Sequence, residues 1–159
     1  MIILDDLNLD EYFMREALIE AKKASILGEV PIGAIIVQNN KIISRGFNLK
    51  ENKKDPTYHA EIIAIKRATK VLDSWRLMDT TIYTTMEPCI MCSGAIINSR
   101  IDRLVFGVHD KNWGGAGSLY NILENNKLNH RVKITSGVLK EESKSLLTHF
   151  FKYIRKINN

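Results

Sequence analysis

The stretch Thr80-Thr81-Ile82-Tyr83-Thr84-Thr85-Met86-Glu87-Pro88-Cys89-Ile90-Met91-Cys92 decides the fold. Its first half is β-branched and aromatic, which is the composition of a strand. Pro88 has no N–H to leave unsatisfied and carries a fixed φ, so it suits the first turn of a helix running through Ala95 to about Asn98. A strand that passes at once into a helix belongs to an α/β layer structure. Cys89 and Cys92 fall three residues apart on one face of that helix start, where unpaired N–H groups and the macrodipole favour thiolates.

Working outward, the apolar positions Ala60, Ile63, Ala64, Ala68 and Leu72 repeat with helical period, which predicts a helix from His59 to Leu72 with Thr57 as a cap. Upstream, the strands Ile32 to Val37 and Ile42 to Gly46 flank Asn39-Asn40, a hairpin turn because Asn tolerates positive φ. A polar loop, Asn48 to Pro56, separates them from His59. A first helix spans Leu9 to Leu27, with Asn8 as its cap and Gly28 as its stop. Downstream come a strand from Leu104 to Val108 and a Gly-rich loop from Asp110 to Ser118. That loop lacks the Lys-Ser/Thr of a phosphate loop and reads as a flexible lid. A strand from Val132 to Thr135 and a helix from Leu139 to about Lys156 close the chain. Strands alternating with helices predict an α/β sandwich, not a barrel.

At 159 residues the chain is expected to form one domain, 1–159, with no second catalytic module. Its 45% hydrophobic and 26% charged content excludes a disordered or fibrous protein. No apolar run approaches the roughly 18 residues of a spanning helix, and Met1–Asp10 is acidic, unlike an export signal. A soluble, cytoplasmic protein with no membrane partner is the expectation, and in that setting Cys89 and Cys92 form a metal or redox pair before a structural disulfide. The formal charge of +5 and pI of 9.2 favour a polyanionic partner.

His59, Cys89 and Cys92 supply three ligands of the kinds that suit zinc and leave a fourth position for water, the pattern of a catalytic site holding one ion per chain. Glu61 lies about 200° around a helix from His59, so the two do not bind one metal directly. Glu61 instead fits the general acid/base that moves protons while zinc-activated hydroxide attacks an amidine carbon. His-x-Glu followed about 30 residues later by Pro-Cys-x-x-Cys is the recognised signature of zinc nucleobase deaminases. Lys152, Arg155 and Lys156 share one face of the last helix, interleaved with Phe150, Phe151 and Tyr153. They read either as a solvated face or as an edge that contacts RNA phosphates. His109, His130 and His149 have no ligand spacing. By itself, Asn48 reads as a turn residue.

Beyond the signature, the chain resembles the bacterial tRNA-specific adenosine deaminases along nearly its whole length. The resemblance is carried by Gly28-Glu29-Val30-Pro31-Ile32-Gly33-Ala34, Asp55-Pro56-Thr57, Ser74-Trp75-Arg76-Leu77, Glu87 through Ala95, Asn98-Ser99-Arg100-Ile101 and Gly117-Ser118-Leu119. Asn129-His130-Arg131 and Phe150-Phe151 are more particular to the tRNA branch. The resemblance implies a three-layer α/β/α sandwich of the cytidine-deaminase type with a mixed five-stranded sheet, and a homodimer. It also implies hydrolytic conversion of the wobble adenosine in the anticodon loop of an arginine tRNA to inosine. By position, His59, Cys89 and Cys92 bind zinc, Glu61 shuttles protons, and Asn48 hydrogen-bonds the flipped adenine. Tyr58 and Trp113 depart from the family's small or polar residues. Two alternatives stand beside this reading: a zinc deaminase of a free nucleobase such as guanine or cytosine, and a silent zinc- or RNA-binding module, against which Glu61 argues.

Overall fold

The computed structural model describes residues 6–159, with side chains from residue 9 onward. In chain order the elements are α1 (Asp6–Ile26), β1 (Gly33–Gln38), β2 (Lys41–Phe47), α2 (Lys50–Lys53), α3 (Ala60–Leu72), β3 (Thr80–Met86), α4 (Ile90–Asn98), β4 (Arg103–Val108), β5 (Lys133–Ser136) and α5 (Lys140–Ile157). The five strands form one sheet in the order β2-β1-β3-β4-β5. β1 runs antiparallel to both β2 and β3, whereas β3, β4 and β5 are mutually parallel. The sheet is therefore mixed, as expected.

Alternation along β1 shows the layers. Ala34 and Ile36 face a core with Ala60, Ala64 and Ala68 of α3 and Ile96 and Ile97 of α4. Ile35 and Val37 point the other way, into a core with Phe13, Met14, Ala17 and Leu18 of α1, against which Leu146 of α5 packs. With both faces covered, β1 reads as a continuous apolar run. Small residues let the layers approach closely: a Cβ on Gly46 of β2 would come within 2.9 Å of the Ala64 nitrogen of α3. At the hairpin, Asn39 and Asn40 adopt φ of 51° and 58°, the doubly left-handed turn whose twist matches that of the flanking strands.

Several local expectations are corrected. Helix α1 begins at Asp6, so Asn8 lies in its first turn and does not cap it. The expected loop from Asn48 to Pro56 contains the short helix α2. Thr57 does not cap α3, because the helix starts at Ala60 and Thr57 lies two residues before the cap position, its hydroxyl donating to Asp55 Oδ1 at 2.7 Å. His59 occupies the cap position instead.

Topology places the site. Because β2 and β3 are both antiparallel to β1, they run in the same direction and end at the same edge of the sheet. The chain leaves β2 there toward α3 and leaves β3 there toward α4, so both helices begin on that edge. β4, parallel to β3, delivers the loop after Val108 to it as well. Among the described residues no helix is long and apolar enough to cross a membrane.

Candidate metal and catalytic centre

His59 and Cys89 are the cap residues of α3 and α4, both in extended conformation, and neither side chain is spent on capping. Cys92 sits in the first turn of α4 and is fully buried. The three side chains meet. His59 Nδ1 lies 3.7 Å from Cys89 Sγ and 3.6 Å from Cys92 Sγ, and the three donor atoms all lie within 4.8 Å of one another. A tetrahedral zinc with bonds of about 2.3 Å to sulfur and about 2.0–2.1 Å to nitrogen sets its N···S separations at about 3.5–3.6 Å. The donor set thus matches such an ion in both chemistry and spacing.

The electrostatics agree with that fit. The hydrogen bond from Cys92 holds the Cys89 thiol down to about 4, against its burial and with help from His59. His59 is pushed up in turn, chiefly by its hydrogen bond to Cys89 and against its own burial. Cys92 is driven the opposite way by its hydrogen bond to Cys89, by burial and by the charge of Glu61. A second sulfur so close to the first loses its proton when a cation offsets the like charge.

Glu61 occupies the first turn of α3 and is 4% exposed. Burial pushes its carboxyl up to about 7, opposed by its own backbone N–H and by His59. It hydrogen-bonds Cys92 and stands outside the His59–Cys89–Cys92 donor group. Glu61 belongs to the helix proper, whereas His59 precedes it in extended conformation, so the helical step expected between them does not apply. A buried carboxyl that titrates near neutrality beside a ligand cluster is suited to proton transfer.

Asn48 is held by contacts at both ends of its amide. Its Oδ1 accepts the Lys50 N–H at 3.1 Å, a local turn contact, and its Nδ2 donates to the Val30 carbonyl at 3.3 Å. One amide hydrogen and one lone pair of the side chain remain for a ligand. The next residue's N–H donates to the Tyr58 carbonyl at 3.2 Å, so Asn48 and His59 flank a single hydrogen bond. Lys152, Arg155 and Lys156 are exposed on α5, which packs across the sheet from α3 and α4, so they lie in a different layer from the donors. The other histidines make separate contacts, such as His130 Nε2 with the Ile101 carbonyl at 2.7 Å.

Two buried acids that sequence reasoning left without a role hold the loops around the centre. Glu87 accepts N–H hydrogen bonds from Asp110 at 2.9 Å, Ala116 at 3.1 Å and Ser118 at 2.9 Å, together with the Ser118 hydroxyl. Burial pushes its carboxyl up, but these donors outweigh it and hold Glu87 below the usual carboxylate range. Glu29 likewise accepts the N–H groups of Glu51 and Asn52, at 3.2 and 2.7 Å, and so ties down α2. The available signal was an acid placed directly before a Pro-Cys or Val-Pro pair. The Gly-rich loop is consequently no free lid. Gly114 pairs with Cys89, and a Cβ there would sit 2.5 Å from the Glu87 carboxylate. Gly114 and Gly115 serve close approach, whereas Gly117 supplies a φ of 136°.

With this geometry in place, comparison with known proteins is informative. The MafB19-like deaminase family matches residues 8–155. A tRNA-specific adenosine deaminase of Bacillus subtilis (strain 168) is 47% identical over 147 residues, covering 92% of this chain and 91% of the relative. One from Aquifex aeolicus (strain VF5) is 50% identical over 145 residues, covering 91% and 95%. A solved structure from a study of A-to-I editing by tRNA:A34 deaminases at the wobble position of transfer RNA is 38% identical, with a TM-score of 0.82. That match covers 86% of this chain and 99% of the other. The shared fold, the donor cluster and kinship over nearly the full length lead to one conclusion: this chain belongs to the tRNA-specific adenosine deaminase family, within the MafB19-like deaminases.

Proposed function

We propose that the chain hydrolytically deaminates the wobble adenosine in the anticodon loop of an arginine tRNA to inosine, acting in the cytoplasm as a homodimer of units that each span 1–159. The observation that carries this reading is buried Glu61 standing against the His59–Cys89–Cys92 group in a chain of this family. His59, Cys89 and Cys92 hold one zinc ion. A zinc ion held there would acidify a coordinated water, lowering its pKa toward about 7. Glu61 takes a proton from the attacking water and returns it to the departing amine, so adenosine and water become inosine and ammonia. Asn48, clamped at Val30 and Lys50, directs its remaining donor and acceptor at the flipped base. Lys152, Arg155 and Lys156 neutralise backbone phosphates.

The test is incubation of the metal-loaded protein with an anticodon stem-loop transcript. Inosine at the wobble position, one zinc per chain by elemental analysis, and affinity that falls steeply with salt are the expected results. Turnover of free guanine or cytosine with no inosine in the RNA would overturn the proposal.

A further inference from the structure

The loop that follows β4 carries an exposed aromatic surface up to the edge of the centre. Asp110 Oδ1 accepts the N–H groups of Asn112 and Trp113 at 3.0 and 3.2 Å, and the Gly114 N–H closes the turn onto the Asp110 carbonyl at 2.9 Å. Gly114 pairs with Cys89, and the Gly115 N–H donates to the Pro88 carbonyl at 2.8 Å. Trp113 is thus one Cα step, about 3.8 Å, from the residue bridged to a candidate metal ligand. Its side chain is nevertheless 69% exposed. Leu119 and Tyr120 both donate their N–H to the Gly114 carbonyl, and their side chains are also exposed, as is that of Ile90 beside Cys89.

The chain's other tryptophan makes an instructive control. Trp75 is exposed too, but the Arg76 guanidinium lies over its ring at 4.2 Å. Among the described residues, no ring and no cation is stacked on Trp113. Its loop is already ordered by Glu87, so a partner arriving at the indole face need not order the backbone. Exposed Lys111 adds positive charge two residues away. An exposed aromatic side chain on an ordered loop backbone, near a cation and next in the chain to the residue paired with Cys89, has the composition of a stacking platform for unpaired nucleotides.

Resting on the function proposed above, we propose that Trp113 stacks on the unpaired base flanking the target adenosine and so determines how tightly this chain holds its RNA. The experiment compares wild type, Trp113→Ala and Trp113→Phe on the anticodon stem-loop, measuring Kd and the rate at saturating RNA separately. Trp113→Ala is expected to weaken binding by about 5- to 150-fold, the range for loss of one base–aromatic stack, with the saturated rate little changed. Trp113→Phe recovers most of the affinity. An abasic site at the flanking position should weaken wild type equally and add no further loss in Trp113→Ala. Unchanged Kd in Trp113→Ala, or losses that multiply, would overturn the proposal. So would a change in oligomeric state with RNA affinity intact, which assigns the surface to a second copy of the chain. Should Trp113→Ala fail to fold, the abasic series on wild type and Trp113→Phe still decides, because a wild-type Kd indifferent to every flanking abasic site also overturns it. Absence of inosine with wild type itself is a different failure, that of the underlying function.

Discussion

The sheet buries a polar cluster on each face, and the two are balanced differently. Toward α1, the Tyr83 hydroxyl donates to Asp10 Oδ1 at 2.8 Å, while Arg103 reaches both Asp10 oxygens at 2.9 and 2.6 Å and Thr135 at 2.9 Å. Here the Asp10 carboxylate meets the Arg103 guanidinium in a bidentate pair, so opposite charges are already matched across the cluster. Toward α3 and α4, two sulfurs and a carboxyl surround a single imidazole. That group becomes fully balanced only with an added cation, since buried charges are either paired or coordinated to metal. The closed cluster joins β3 and β4 to α1, and the open one leaves capacity for chemistry.

Substitutions on the two faces should therefore act differently. The largest expected effect is on the open side: Glu61→Gln should lower the saturated rate of inosine formation by about 10²–10⁴-fold, the usual contribution of a positioned acid/base. Metal content and thermal stability should stay near wild type, as read by elemental analysis and a melting curve. A Glu61→Gln enzyme at wild-type rate would remove chemistry from that face.

On the closed side the effect should pass to stability. Asp10→Asn removes the carboxylate charge from the bidentate pair with Arg103. Because the Arg103 side chain keeps 27% of its exposure, the expected cost is about 2–4 kcal/mol, at or below the range for a broken buried pair. Urea unfolding measures the loss, and activity per folded molecule should be unchanged. If Asp10→Asn instead depressed the saturated rate without loss of stability, the division of labour between the faces would fail.

The smallest effect is a dependence on pH. Burial and the hydrogen bond to Asp10 push the Tyr83 phenol above its ordinary value of 10.0. The folded state therefore holds this proton more tightly than the unfolded state. The resulting stability is fully present below pH 10 and is lost as pH rises past it toward the folded-state value. Tyr83→Phe should flatten this alkaline decline relative to wild type. Identical alkaline limbs in the two proteins would show that Tyr83 contributes no linkage.

The sequence made the open cluster far more legible than the closed one. His59, Glu61, Cys89 and Cys92 stand in two short motifs whose residue types have few other uses together, and Asn39-Asn40 announced its turn because few residues accept positive φ. The unbroken apolar run from Ala34 to Val37 marked a strand but carried no information on neighbours, so β1's place between β2 and β3 emerged only from the pairing. Asp10 and Tyr83 are 73 residues apart and each is ordinary where it stands. Thr57 had the right chemistry for a cap, yet the helix starts at Ala60, two residues too late for its hydroxyl to reach the free N–H groups. The Gly-rich loop looked mobile because glycine is equally apt for freedom and for tight contact, and Glu87 decides between them.

The donors lie on either side of β3 in the chain: His59 before it, Cys89 and Cys92 after it. Neither α3 nor α4 can assemble the cluster alone, and they converge only once β3 has taken its berth between β1 and β4. Retention of metal is therefore a readout of correct strand order, and a misthreaded chain could not masquerade as a loaded one.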